Sequence, residues 1–102
     1  MNTEQLKDLL KTTNYPVAYR FFKTAQKAPY ICFYGLGDNT FFADGKRYAA
    51  FKRYRIELYT DGKNEAAESI LENALADFCF SKDGEDYIQS IDKTKTTYEI
   101  EV

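Results

Sequence analysis

From Arg47 to Thr60 the chain reads Arg-Tyr-Ala-Ala-Phe-Lys-Arg-Tyr-Arg-Ile-Glu-Leu-Tyr-Thr. From Tyr54 onward it alternates. Tyr54, Ile56 and Leu58 share one face; Arg53, Arg55, Glu57 and Tyr59 share the other. A period of two marks a strand with one buried face. At roughly 3.3 Å per residue the run would span about 45 Å, far beyond an average strand. Such a strand can be the spine of a small sheet and still overhang it. Phe51 falls on the charged parity, so a bulge or a change of environment is expected near Ala50 to Lys52.

The rest of the composition limits what that spine can belong to. A chain of 102 residues, 44% apolar and 29% charged, fits one folded domain, residues 1–102, around one core. No apolar run approaches the roughly 20 residues of a membrane span. The N-terminus lacks the basic-then-apolar pattern of a secretory signal. A net charge of −2 gives no general attraction to nucleic acid or anionic membranes. There is no histidine, which removes Ser-His-Asp and Cys-His arrangements, most zinc sites and the commonest neutral-pH base. Cys32 and Cys79, the only cysteines, lie among apolar residues and read as buried free thiols of a reducing compartment. Nine Tyr and eight Phe are more aromatics than so small a core can hide. Tyrosine is enriched where protein meets protein, which points to a part of an assembly.

Taken in order, the elements give an α+β chain. Thr3 is placed to cap a first helix carrying Leu6, Leu9 and Leu10 on one stripe, and Tyr15-Pro16 ends it by about Thr13. Val17 to Phe22 reads as a strand and Lys23 to Ala28 as a polar loop. Tyr30 to Tyr34, apolar on both faces, should lie inside the sheet or under a partner. Gly35 to Asn39 reads as a turn-rich break. Asp44-Gly45 is a favoured two-residue hairpin pair that folds the chain back into the long strand. Asn64 is placed to cap a second helix whose stripe is Ala67, Ile70, Leu71, Ala74, Leu75 and Phe78. Phe80 to Asp86 reads as a polar turn, Tyr87 to Ile91 as a strand, and Tyr98, Ile100 and Val102 as one face of a last strand. The expected architecture is a twisted antiparallel sheet with a long central strand and two helices packed on one face.

No catalytic constellation is visible, nor a metal or cofactor set. Gly35-Leu36-Gly37 lacks the third glycine and the following helix of a nucleotide fingerprint. Asp83, Glu85 and Asp86 are too few and too closely spaced for a calcium loop and read as a solvated turn. Lys46, Arg47, Lys52, Arg53 and Arg55 interleave with Tyr48, Phe51 and Tyr54, a mixture able to hold single-stranded nucleic acid. Their charges are split between the two faces of a strand, which favours a solvated or subunit-contacting surface. Phe41 and Phe42 either pack on the domain or sit on an arm that docks on a neighbouring subunit.

One pattern of segments is more specific. Pro16 to Tyr19, Ala28 to Tyr34, Asn39 with Phe42 to Asp44 and Tyr48, Tyr54 to Asp61 with Lys63, Glu65 and Glu68, and Tyr98 to Ile100 follow in order. The chain resembles, over about Leu6 to Val102, the tail-completion proteins of long-tailed bacteriophages and Gram-positive prophages, also called tail terminator or tail-to-head joining proteins. Ile-Glu-Leu-Tyr-Thr before an acidic helix is the most specific part. The resemblance implies a structural protein without catalytic, metal or cofactor residues. It implies a homo-oligomeric ring, usually hexameric, that caps the tail tube and docks the head connector while DNA passes through. The partners would be the tail tube protein, the connector proteins and other copies of itself, with no membrane. Its place would be the virion, and the host cytoplasm during assembly. On this reading Phe41, Phe42, Asp44, Lys46, Arg47, Arg53, Arg55 and Tyr59 are the interface candidates. The alternative is a small binding module for nucleic acid or a host protein.

Overall fold

The computed structural model describes the backbone of residues 1–43 and 46–102, and the side chains of residues 1–37 and 52–102. In chain order the elements are α1 (Thr3–Lys11), β1 (Val17–Tyr19), β2 (Tyr30–Ala43), β3 (Lys46–Thr60), α2 (Glu65–Ala74), β4 (Cys79–Ile88), a short 3-10 turn (Gln89–Ile91) and β5 (Lys93–Glu101). The strands form a five-stranded sheet in the order β1-β2-β3-β5-β4. The expected α+β fold is therefore the observed one, with one amendment. The sheet is mostly, not wholly, antiparallel, because β1 runs parallel to β2 through Val17↔Ile31 to Tyr19↔Phe33.

The long strand is present and central. β3 pairs with β2 on one side over its whole length and with β5 on the other from Arg53↔Glu101 to Thr60↔Thr94. The last rungs on the β5 side are the reciprocal backbone bonds of Lys52 and Val102. Beyond Lys52, β3 has no partner on the β5 side among the described residues, and β2 and β3 continue as a two-stranded ribbon to Ala43↔Lys46. This is the change of environment expected near Ala50 to Lys52, although the bulges lie elsewhere. The register shifts between Gly35 and Gly37, and again between Phe41 and Phe42, opposite the step from Ala49 to Arg47. The ribbon elongates the molecule to 50 × 26 × 25 Å. The radius of gyration of 14.8 Å exceeds the roughly 13 Å of a compact 100-residue domain. The expected Asp44-Gly45 tip lies outside the described residues.

Both helices cover the same face. Leu6 and Leu10 of α1 and Ala67, Leu71 and Leu75 of the second helix and its cap are fully buried in one cluster. From the sheet, Ile31, Phe33, Ile56, Leu58, Tyr98 and Ile100 join them. The parity read from the sequence thus holds: Tyr54, Ile56 and Leu58 are buried and their neighbours are not. Caps set both helix starts. Asn64 Oδ1 accepts from the Ala67 N–H at 3.0 Å, as expected. At α1 the cap is Asn2, not Thr3: Asn2 Oδ1 accepts from the Gln5 N–H at 2.8 Å, and Gln5 Oε1 accepts from the Asn2 N–H at 2.9 Å. The helix stops at Lys11, ahead of Pro16, because Thr12 and Thr13 hydroxyls donate to the Leu9 and Leu10 carbonyls and Asn14 turns left-handed at φ 67°.

Several local expectations are corrected. Gly35 to Asn39 is not a break: β2 runs through it, with Gly37 at φ 102° supplying the bulge conformation a Cβ would disfavour. β1 ends at Tyr19 rather than Phe22: the Arg20 N–H still donates to the Phe33 carbonyl at 2.8 Å, but Arg20 takes φ 70° and turns the chain out of the strand. Phe80 to Asp86 is not a turn but the body of β4, whose polar sequence reflects an exposed edge. Tyr87 to Ile91 is split between the end of β4 and the 3-10 turn. Ile70 lies outside the buried stripe at 43% exposure, and Glu68 takes a buried place at 3%.

Glu68 is held there by cations on two elements. Lys82 of β4 donates to Oε1, and Lys63 sits 3.0 Å from Oε2. Burial alone pushes the Glu68 carboxyl up, but the hydrogen bonds and charges of Lys82 and Lys63 outweigh it and hold the group below its ordinary value of 4.5. The unfolded chain therefore binds a proton more readily than the folded one. This contribution to stability should be complete above about pH 4.5 and fade as pH drops through the lowered native value. Urea denaturation as a function of pH should show that acid limb, and Glu68→Gln should flatten it; an unaltered limb would refute the linkage. Leu71→Ala in the same helix should cost about 2–5 kcal/mol, read as a shift in the urea midpoint.

Candidate functional site

The helices leave the second face of the sheet open, and alternation puts the polar parity of β3 on it. Arg53, Arg55, Glu57 and Tyr59 are all partly exposed there. Cross-strand pairing adds Tyr34 opposite Arg55 and Tyr30 opposite Tyr59 from β2. From β5 it adds Glu99 opposite Arg55 and Lys95 opposite Tyr59. The result is a surface of compensated charge. Glu99 Oε1 accepts from Arg53 Nη2 at 3.0 Å and lies 3.8 Å from Arg55 Nη2. Glu57 lies 3.4 Å from Lys95 Nζ and accepts from the Tyr59 hydroxyl at 3.2 Å. These pairs are partly solvated, so each is worth no more than about 1 kcal/mol. Arg55 Nε is buried and has no hydrogen-bond partner among the described residues.

Two of the depressions on this face bear on its chemistry. One, of about 430 Å³, is polar: Arg55, Glu57 and Lys95 form its floor, and Asp83 to Asp86 form its bank. The acidic segment that reads as a solvated turn is thus one wall of a groove on the edge strand. The other, of about 290 Å³, lies between the β1–β2 connection and the sheet, with Phe21, Phe22, Tyr30, Cys32, Tyr59 and Ile91 around it. Its aromatic wall is ordered by packing. Tyr30 stacks on Tyr59 with centroids 4.9 Å apart, and Phe22 meets Tyr30 edge-on at 5.6 Å. Burial, then the negative charge of Glu57, raises the Tyr59 hydroxyl well above its usual value. Burial, followed by Glu57, pushes the Cys32 thiol up to about 11, which keeps it protonated near neutral pH. Among the described residues no three acids or thiols are grouped as a metal site would require. Likewise, no helix among them is long and apolar enough to cross a membrane.

The eight interface candidates do not form one patch. Arg53 and Arg55 are neighbours on the open face and share Glu99. Tyr59 stands six residues along the strand from Arg53, roughly 20 Å away, and serves the aromatic cleft. Phe41, Phe42, Lys46 and Arg47 lie on the ribbon by backbone register, with Phe42 opposite Arg47; their side chains lie outside the described ones. Asp44 lies outside the described residues. The sequence reading missed Phe21, exposed at 66%, and the role of β4 as a wall. A Phe-Phe pair in a polar loop was the available signal for the first. For the second there was none, because an edge strand has no alternation to display. No family model matches the chain, and no curated protein is detectably similar to it.

The two thiols give a direct check on this face. Cys32 is 4% exposed with a raised pKa, whereas Cys79, expected to be buried, is exposed on the edge strand. Near pH 8 a thiol reagent should titrate Cys79 promptly and Cys32 only after denaturant is added. Two equally fast equivalents would show that the open face does not shield β2.

Proposed function

We propose that the chain is a structural subunit of a phage or prophage tail, a tail terminator or tail-to-head joining protein that works as a ring on the tail tube. The observation that carries the reading is the β2–β3 ribbon, which continues past the end of β5 at Lys52. A two-stranded extension contributes little to its own core, so its aromatic and basic sequence is explained best by contact with another chain. Of the residues along that ribbon, Asn39, Phe42, Ala43 and Tyr48 belong to the resemblance. The open face fits the same role: it is broad, mixed in charge and rich in tyrosine, as surfaces between proteins are. Ring size and the identities of the tube and connector partners belong to the resemblance.

The nucleic-acid reading gains nothing from the open face, where Arg53 and Arg55 share Glu99, Lys95 meets Glu57, and Asp83 and Asp86 stand alongside. A groove that binds a phosphate backbone keeps its cations unpaired.

Deleting the gene from its phage or prophage should leave full heads apart from overlong or unjoined tails in electron micrographs. Normal virions from the deletion would end the proposal. Reversing charge with Arg53→Glu and Arg55→Glu should lower joining by at least about tenfold in a plaque or particle count, with the monomer still folded. Full joining by that variant would remove the basic stretch from the interface.

A further inference from the structure

The two borders of the sheet are chemically opposite. At the β1 side, the segment from Pro16 to Gly37 carries Arg20, Lys23 and Lys27 and no acidic residue. Lys23 and Lys27 are exposed and form no ion pair among the described residues, and Phe21 beside them is 66% exposed. At the β4 side, Asp77 to Asp92 carries Asp77, Asp83, Glu85, Asp86 and Asp92 against Lys82 alone. Glu85 is engaged by Lys63 at 3.1 Å, but Asp83 and Asp86 have no cation in contact among the described residues. Tyr87 next to them is 61% exposed. Each border thus offers an exposed aromatic ring flanked by charge largely of one sign, opposite between the two, with Asp83 and Asp86 also standing across the polar groove from Arg55 and Lys95.

Within one chain the two borders do not pair their charges: the β1–β2 connection reaches Ile91, which lines the same cleft, but no ion pair joins Lys23 or Lys27 to an acid of the β4 side among the described residues. β1 and β4 are the outermost strands of five, and four intervals of about 4.8 Å hold them roughly 19 Å apart. We propose that they meet between copies: the basic, aromatic β1–β2 connection of one subunit docks on the acidic β4 edge of the next. Directions agree with this. β4 runs opposite to β1, so a neighbour set alongside in the same orientation meets the edge antiparallel. A continuous ladder across the junction is prevented by the three-residue length of β1 and by the bulge at Asp83 with Gly84 at φ 137°. Side chains therefore make the contact: Lys23 and Lys27 face Asp83 and Asp86, and Phe21 lies against the Tyr87 region. Such a contact is heterologous. Every added subunit presents the same two free borders, and growth ends only when a ring closes. The contact itself stands apart from the tail role; closure into a ring rests on that reading.

The test is sedimentation of the full chain at rising concentration, up to about 1 mM, in low and high salt. Mass should rise with concentration and fall with salt. Lys23→Glu with Lys27→Glu should weaken association at least about tenfold, as should Asp83→Lys with Asp86→Lys. Mixing the two double variants should restore it, because each then finds its complement, and so should all four changes in one chain. Far-ultraviolet circular dichroism establishes that each variant is folded. A chain that stays monomeric at low salt, or association that both double variants retain, overturns the contact while leaving tail capping to be judged by the deletion. Rings that form through these borders, together with normal joined virions after deletion of the gene, would sink the tail role and keep the contact.

Discussion

Everything in this molecule depends on how far β3 is paired on both sides. Between Arg53 and Thr60 it has β2 and β5 as neighbours, and its alternation is locked: Tyr54, Ile56 and Leu58 face two helices. A slip of one residue would bury Arg55 and Glu57 instead, so the register is held by the full cost of desolvating charge. At Lys52 the second neighbour ends, and the same strand passes from core component to extension. The boundary between core and extension is therefore a backbone boundary, set by where pairing with β5 stops.

The helix-covered face and the open face divide their labour through ion pairs of different character. On the covered side, Glu68 is buried between Lys82 and Lys63, while Glu72 accepts from the Tyr98 hydroxyl at 2.8 Å. That network ties α2 to β4 and β5 where the apolar stripe runs out. On the open side the pairs lie flat on solvent and cancel charge without fixing anything firmly.

The two free edges extend this division. β4 is long and exposed, and it is blunted by a bulge and by acids; β1 is blunted by being short. Both devices discourage strand addition by another chain. Aromatic content is divided as well. The core holds Phe33, Tyr54 and Tyr98, whereas Tyr19, Phe21 and Tyr87 stay exposed.

Sequence alone determined the helices, the long strand and the faces taken by its residues 53–59, because these follow from short-range periodicity and capping. Asn64, the Leu6–Leu10 stripe and the Tyr54–Ile56–Leu58 alternation were all readable in that way. Of the candidate site, Arg53 and Arg55 were legible as neighbours on one face, but not their shared Glu99, which comes from a strand more than forty residues on. Only the tertiary structure decided that β1 runs parallel, that Gly35 to Gly37 is a bulge, that β4 is a strand, and that Glu68 is buried while Ile70 is not. Each of these depends on a neighbour distant in sequence. A polar edge strand has no pattern of its own, and a carboxylate enters a core only where two lysines from other elements wait for it.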